Sequence, residues 1–197
     1  PIVCDEVFAR YPLDDAPERA RAASALECEE VLTFSLGGLS KLAALPQMKA
    51  GWIVVGGPDA VARPAIDRLE VIADSFLSVS TPVQHALPSL LAYGDEARAA
   101  VHARVRANLA RARALTATSA ATVLHVEGGW YATLRLPRVT SEEAWALSFL
   151  EDDGVHVHPG AFFDFADEAY AIVSLLTPEA TFDEGLRRIV ARVDSRL

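Results

Sequence analysis

Lys41 stands where an amine could react with a carbonyl. It comes after a strand expected over 31–36 and a turn at Gly37-Gly38, and Leu36, Leu39, Leu42, Ala43, Ala44 and Leu45 surround it in the chain. A lysine among such neighbours is partly desolvated, and a desolvated amine is a nucleophile towards carbonyl carbon. The same pattern also suits a lysine whose stem lies along apolar surface with its ammonium in water. Asp5 closes the short apolar run Ile2-Val3-Cys4, as a carboxylate does at the tip of a buried parallel strand. His156 and His158 alternate along an extended segment and so share a face. No acidic or cysteine ligand stands at a telling spacing from them, so no metal is expected. Gly128-Gly129 reads as a turn, because no helix start comes after it to cradle a phosphate.

The elements that must position these residues fall into two groups. The first holds strands over 2–4, 31–36 and 52–55, helices over 64–73 and 82–93, and a partly helical stretch over 14–30. Gly94-Asp95 then punctuates the chain, with Asp95 as the cap of a long helix reaching about Leu115. The second group has strands over 122–126, 130–136, 155–157 and 171–175. Its helices cover 141–151, with Thr140 as cap, and 178–193. The expected fold is therefore α/β, with a partial sheet layer over 1–94 and a smaller α+β domain over 95–197. Trp130, Trp145, Phe162, Phe163 and Phe165 are expected as core or pocket wall.

Composition narrows the function classes. Across 197 residues, 51% are hydrophobic and 23% charged, which suits a globular core. A net charge of -9 argues against nucleic acid as a partner. The arginines at 98, 104, 106, 111 and 113 are spread round a helix and read as a solvated face. No apolar run reaches the roughly 20 residues needed to span a membrane. Cys4 and Cys28 make no disulfide framework, so a cytoplasmic setting is expected.

The segment "FSLGGLSKLAALPQMKAGWIVV" resembles the cofactor-lysine segment of class I/II, fold type I, pyridoxal-phosphate-dependent aminotransferases. In that family a serine precedes the lysine, a basic residue stands eight positions later, and Gly-Trp opens the next strand; here these are Ser40, Lys41, Lys49, Gly51 and Trp52. "IVCDEVFARYPL" resembles the family's aspartate-bearing strand end. "SFLSVSTPVQ", "EGGWYATLRLP", "GVHVHPGAFFDF" and "SLLTP" come in the family's order.

The resemblance implies the C-terminal portion of the pyridoxal-phosphate-dependent transferase fold and assigns roles. Lys41 would hold the cofactor as a Schiff base and then move the substrate α-proton. Asp5 would pair with the pyridine nitrogen, and Phe8 would lie at the cofactor's phenolic oxygen. Ser40 and Lys49 would bind the phosphate, and Ser80 and Thr81 would reach the phosphate of a partner subunit in a homodimer. Arg135 would hold the substrate carboxylate, because a planar fork suits it. The substrates would be an amino acid and a 2-oxo acid. Two other outcomes stay open: a carbon–sulfur β-lyase on the same scaffold, and an aminotransferase-like sensor domain of a transcription regulator.

Departures from the pattern matter as much. Phe8 replaces a tyrosine common in the family, and Tyr11 is the candidate to restore its hydroxyl. Lys49 replaces an arginine, exchanging a bidentate fork for a point charge. Gly38 stands where relatives often carry a phosphate-binding serine, with Ser35 nearby. The strand before "SLLTP" lacks an arginine, which leaves Arg135 in preference to Arg187 or Arg188. The family's N-terminal "NPxNPTG" block has no counterpart, so the chain reads as a fragment with one cofactor wall and little or no activity of its own. Its layer of parallel strands would leave edges and apolar faces open, which favours oligomerisation.

Overall fold

The computed structural model describes residues 1–13, 24–76, 78–167 and 169–196. The chain forms two compact units, Pro1–Ala100 and Val101–Leu197. The helical expectation over 14–30 falls mostly on 14–23, outside the described residues; within 24–30 only a 3-10 turn forms, Ala25–Glu27.

Three strands build the first unit's sheet: β1 (Ile2–Asp5), β2 (Thr33–Gly38) and β3 (Gly51–Gly56), in that order. β1 pairs with β2 in parallel, Asp5 opposite Leu36, but β3 runs antiparallel to β2. The layer is thus mixed and not all-parallel. A parallel return needs a crossover of about a dozen residues or more, usually carrying a helix. The 39–50 connection instead folds back on itself through the single turn α1 (Leu39–Leu42) and a 3-10 turn, Pro46–Met48. The Leu39 amide donates to the Ala50 carbonyl at 3.0 Å and closes it. Gly37 and Gly38 are consequently ladder residues, opposite Trp52 and Gly51, and not a bend. A Cβ on Gly37 would lie 2.4 Å from the Trp52 indole nitrogen, so glycine is present there for close approach.

Two helices complete this unit's elements: α2 (Asp59–Phe76) and α3 (Thr81–Thr116), the latter running on into the second unit. α2 begins five residues before the expected start at Pro64, because the Pro58 carbonyl accepts from the Val61 and Ala62 amides. Pro64 therefore sits inside the helix. α3 is one 36-residue helix where a break at Gly94-Asp95 was expected. Asp95 does not cap it; its carboxylate pairs with Arg98 Nη2 at 2.9 Å on the same helix. Gly94 lies so close to Ala43 that an added Cβ would be 2.3 Å from that residue's Cβ. The unit's core is Leu39, Ala43 and Ala50, covered by Val83, Leu87, Leu90 and Leu91 of α3.

The second unit has an antiparallel sheet ordered β4 (Thr122–Val123), β5 (Tyr131–Arg135), β7 (Tyr170–Ser174) and β6 (His158–Pro159). Helices α4 (Glu142–Glu151) and α5 (Glu179–Asp194) pack with it. Ser141, not Thr140, caps α4: its hydroxyl accepts from the Ala144 amide at 3.2 Å. The expected strand at 155–157 does not form; the short β6 lies just beyond it, starting three residues later. Buried Trp145 and Phe149 stack within α4, ring centroids 5.5 Å apart. Phe162 and Phe163 instead stay largely exposed.

Two buried polar side chains bind this unit's irregular backbone. Asn108 donates from Nδ2 to the carbonyls of Leu175 (2.9 Å) and Thr177 (2.8 Å). The Glu142 carboxylate accepts from the amides of Ala161 (2.9 Å) and Tyr170 (2.7 Å). The arginines of α3 are not all solvated: Arg111 pairs with Asp183 of α5, which also pairs with Arg187. Those hydrogen bonds hold the Asp183 carboxyl below its usual range. Among the described residues, no helix is long and apolar enough to cross a membrane.

Replacing Gly94 by alanine adds a methyl where Ala43 already lies. Overpacking of this kind costs about 1–3 kcal/mol, more than the roughly 1 kcal/mol that alanine gains as a helix former. Denaturant titration should therefore show Gly94→Ala less stable than wild type, and an equal or higher midpoint would disprove the close approach.

Candidate functional site

β1 and β2 end side by side, and the turn after β1 meets the one-turn helix after β2. Beyond Asp5, the Glu6 amide still donates to the Leu36 carbonyl at 3.0 Å, and the chain then turns. Ala9 donates to the Glu6 carbonyl (3.0 Å) and Tyr11 to the Phe8 carbonyl (2.9 Å), giving a tight 6–11 turn. Asp5 is exposed, and its Oδ1 accepts from the Val7 amide at 3.1 Å. On the other side, α1 presents Ser40 and Lys41, both half-buried.

The Lys41 ammonium lies 5.6 Å from the centre of the Phe8 ring, in cation–π range. Phe8 in turn meets Tyr11 edge to face, with centroids 6.3 Å apart. The Tyr11 hydroxyl does not restore the donor that Phe8 lacks. It is fully buried and donates to the main-chain carbonyl of Lys41 at 2.9 Å.

The other expected residues are more scattered. Lys49 ends the Pro46–Met48 turn, exposed and in the left-handed region at φ 51°. Ser80 and Thr81 are exposed at the start of α3, where the Ser80 carbonyl accepts from the amides of Val83 and Gln84. Arg135 belongs to the second unit, exposed at the end of β5. Arg188 is engaged by Glu184 and by the Asp153 carbonyl. Ser35 cannot stand in for the serine absent at 38, because it is buried and bonds the Glu6 carboxylate. A Cβ at Gly38 would lie 3.1 Å from the Ala50 carbonyl oxygen, which disfavours a serine there.

The sequence reading missed Glu6. Its carboxylate accepts from the Ser24 hydroxyl (2.9 Å) and the Ala25 amide (2.7 Å), tying the strand end to the 24–27 turn. Partial burial pushes the Glu6 carboxyl up, but the Ala25 amide and the Ser35, Ser24 and Cys4 side chains bond its ionised form and outweigh that, holding it below its usual range. Its place beside Asp5 and near Cys4 was visible; the Ser24, Ala25 and Ser35 donors are brought in by folding.

His156 and His158 do share a face, their rings meeting edge to face at 4.9 Å. Among the described residues no group of three His, Cys, Asp or Glu side chains could hold a metal ion. A cleft of about 250 Å³ in the second unit, lined by Val155, His156, Phe182, Leu186 and Ile189 among others, contains none of the expected cofactor or substrate residues. Its lining holds no amine or carboxylate, whereas the strand ends of the first unit carry both.

Residues 1–189 match the family model described as aminotransferase class I and II. Among curated proteins, the glutamate-pyruvate aminotransferase AlaA of Escherichia coli strain K12 is 33% identical over 90 residues, which is 46% of this chain and 22% of that protein. Among solved structures, tyrosine aminotransferase from Leishmania infantum superposes with a TM-score of 0.83 at 19% identity, over 99% of this chain and 48% of that one. An aminotransferase from Escherichia coli gives 0.81 at 21%, over 98% and 49%. The fold is thus that of one half of these structures. The chain spans about half their length, and its match spans about a fifth of the curated relative.

Glu6 has a folded pKa below its unfolded one, so its contribution to stability is present above the ordinary carboxylate value and lost as pH falls through the lowered one. Acid denaturation of Glu6→Gln against wild type should show a stability gap at neutral pH that closes below about pH 4. A gap constant across that range would rule the network out.

Proposed function

We propose that this chain, which belongs to the class I and II aminotransferase family, carries the lysine-bearing wall of a pyridoxal phosphate site in a protein that moves an amino group between an amino acid and a 2-oxo acid. The observation that carries the reading is the meeting of Lys41 with the turn beyond Asp5: the ammonium rests over the Phe8 ring, three residues past that carboxylate.

The residues present suit the cofactor chemically: an amine for an aldehyde, a carboxylate for a ring nitrogen, and a hydroxyl and ammonium for a phosphate. When bound, pyridoxal phosphate supplies that aldehyde and a ring that withdraws electrons from the substrate α-carbon. Lys41 Nζ is the amine that would hold the aldehyde and would then serve as the base for the substrate α-proton. The Asp5 carboxylate, with Oδ1 accepting from the Val7 amide, would pair with the ring nitrogen and favour its protonated form. The Phe8 ring carries no hydrogen-bond donor, so it bounds the site through its ring face, which the Lys41 ammonium overlies. Ser40 and Lys49 bind the phosphate, Lys49 as a point charge. Arg135, exposed in the second unit, stays the candidate for the substrate carboxylate on the family resemblance and its planar fork alone.

Exposed Ser80 and Thr81 at the start of a long helix favour an anion there, which supports their reaching a partner subunit's phosphate in a homodimer. The free thiols of Cys4 and Cys28 support a reducing, cytoplasmic setting. Glutamate and pyruvate, the pair in the name of the Escherichia coli relative, are the first substrates to assay on the whole protein.

The test is absorbance of the protein with pyridoxal phosphate. Wild type should develop a band at the visible edge, Lys41→Ala should lose it, and Lys49→Ala should keep it with affinity weakened about tenfold, as expected for one lost charge-assisted contact. No band in wild type, or an unchanged band in Lys41→Ala, overturns the assignment.

A further inference from the structure

We propose that Tyr11 is a positioning residue for the Lys41 amine, acting through the main chain and not through contact with the cofactor. The inference rests on Lys41 being the cofactor lysine.

A helix of one turn is poorly held by its own hydrogen bonds, and its last carbonyls have no helical donor. In a longer helix the Lys41 carbonyl would accept from the amide of residue 45. Here Ala44 turns into the left-handed region at φ 54°, and the Leu45 amide donates to the Leu39 carbonyl at 3.1 Å instead. The Ala44 amide reaches the Lys41 carbonyl only at 3.4 Å. The Tyr11 hydroxyl, at 2.9 Å, takes the vacated helical donor's place. It comes from a fully buried side chain in a turn fixed by the Tyr11 amide on the Phe8 carbonyl at 2.9 Å.

That turn touches Lys41 at both ends. Tyr11 holds its carbonyl, and the Phe8 face carries its ammonium at 5.6 Å. With the main chain of Lys41 tethered, the side chain starts from one fixed Cα, so less freedom is lost when the amine reaches an aldehyde. Without the tether the single turn frays, and the amine is spread over a wider volume.

The chain has only two lysines, Lys41 and Lys49, which provides an internal control. The protein is treated with pyridoxal phosphate, reduced with borohydride, and digested so that pyridoxyl incorporation at each lysine is read by mass spectrometry across a pH series. Tyr11→Phe keeps the buried ring and removes only the hydroxyl, and Tyr170→Phe, in the second unit, controls for loss of a tyrosine hydroxyl elsewhere. Wild type should label at Lys41 in preference to Lys49. Tyr11→Phe should lower the Lys41-to-Lys49 ratio about tenfold, the scale of one buried carbonyl losing its partner, and shift the pH profile at Lys41 alone. Tyr170→Phe should leave the ratio unchanged. A wild-type ratio in Tyr11→Phe, or an equal fall at both lysines, overturns the role of Tyr11 while leaving Lys41 in place. Equal labelling of the two lysines in wild type overturns the cofactor-lysine reading and the inference with it.

Discussion

Four residues make one helical turn, and one turn does not hold itself; the arrangement round Lys41 answers that constraint from every side. The Leu39 amide is taken by Ala50, the Lys41 carbonyl by Tyr11, and the ammonium by the face of Phe8. Behind them Ala43 packs against α3 at Gly94, where no side chain intervenes. The lysine is thus displayed from a segment whose rigidity is borrowed from two strands, a turn and a helix. Such a site is stiff only while its supports are in place.

Glu6 performs the corresponding task for the other strand. A carboxylate bonded by the Ala25 amide and by Ser35, Ser24 and Cys4 fixes the end of β1, and with it the neighbouring Asp5. In the second unit Asn108 and Glu142 do the same, each holding two main-chain groups far along the chain.

Glycine and proline were the least faithful guides to structure. Gly37 and Gly38 belong to a ladder, Gly94 to a helix interior, and Pro64 to the middle of α2. Glycine weakens a helix by about 1 kcal/mol, an amount that one close helix contact can offset. At Gly37 and Gly94 the residue is there to admit a neighbour, Trp52 or Ala43, and those neighbours are distant in sequence. Capping at Ser141 in place of Thr140 is a smaller shift of the same kind, since either hydroxyl suits the role and the backbone decides between them.

By itself the sequence determined the mixed α/β character, the type and approximate position of most elements, and the residues able to do chemistry. Periodicity and residue type are local properties, and the ordered blocks around Lys41 and Asp5 lie in the linear chain. Only the tertiary structure decided the antiparallel return of β3, the unbroken α3, the Ser24, Ala25 and Ser35 donors on Glu6 and the bond from Tyr11 to the Lys41 carbonyl. Each of these depends on a partner far along the chain. Such partners are selected by packing and by the need of buried backbone groups for hydrogen bonds, and no spacing within a segment encodes them.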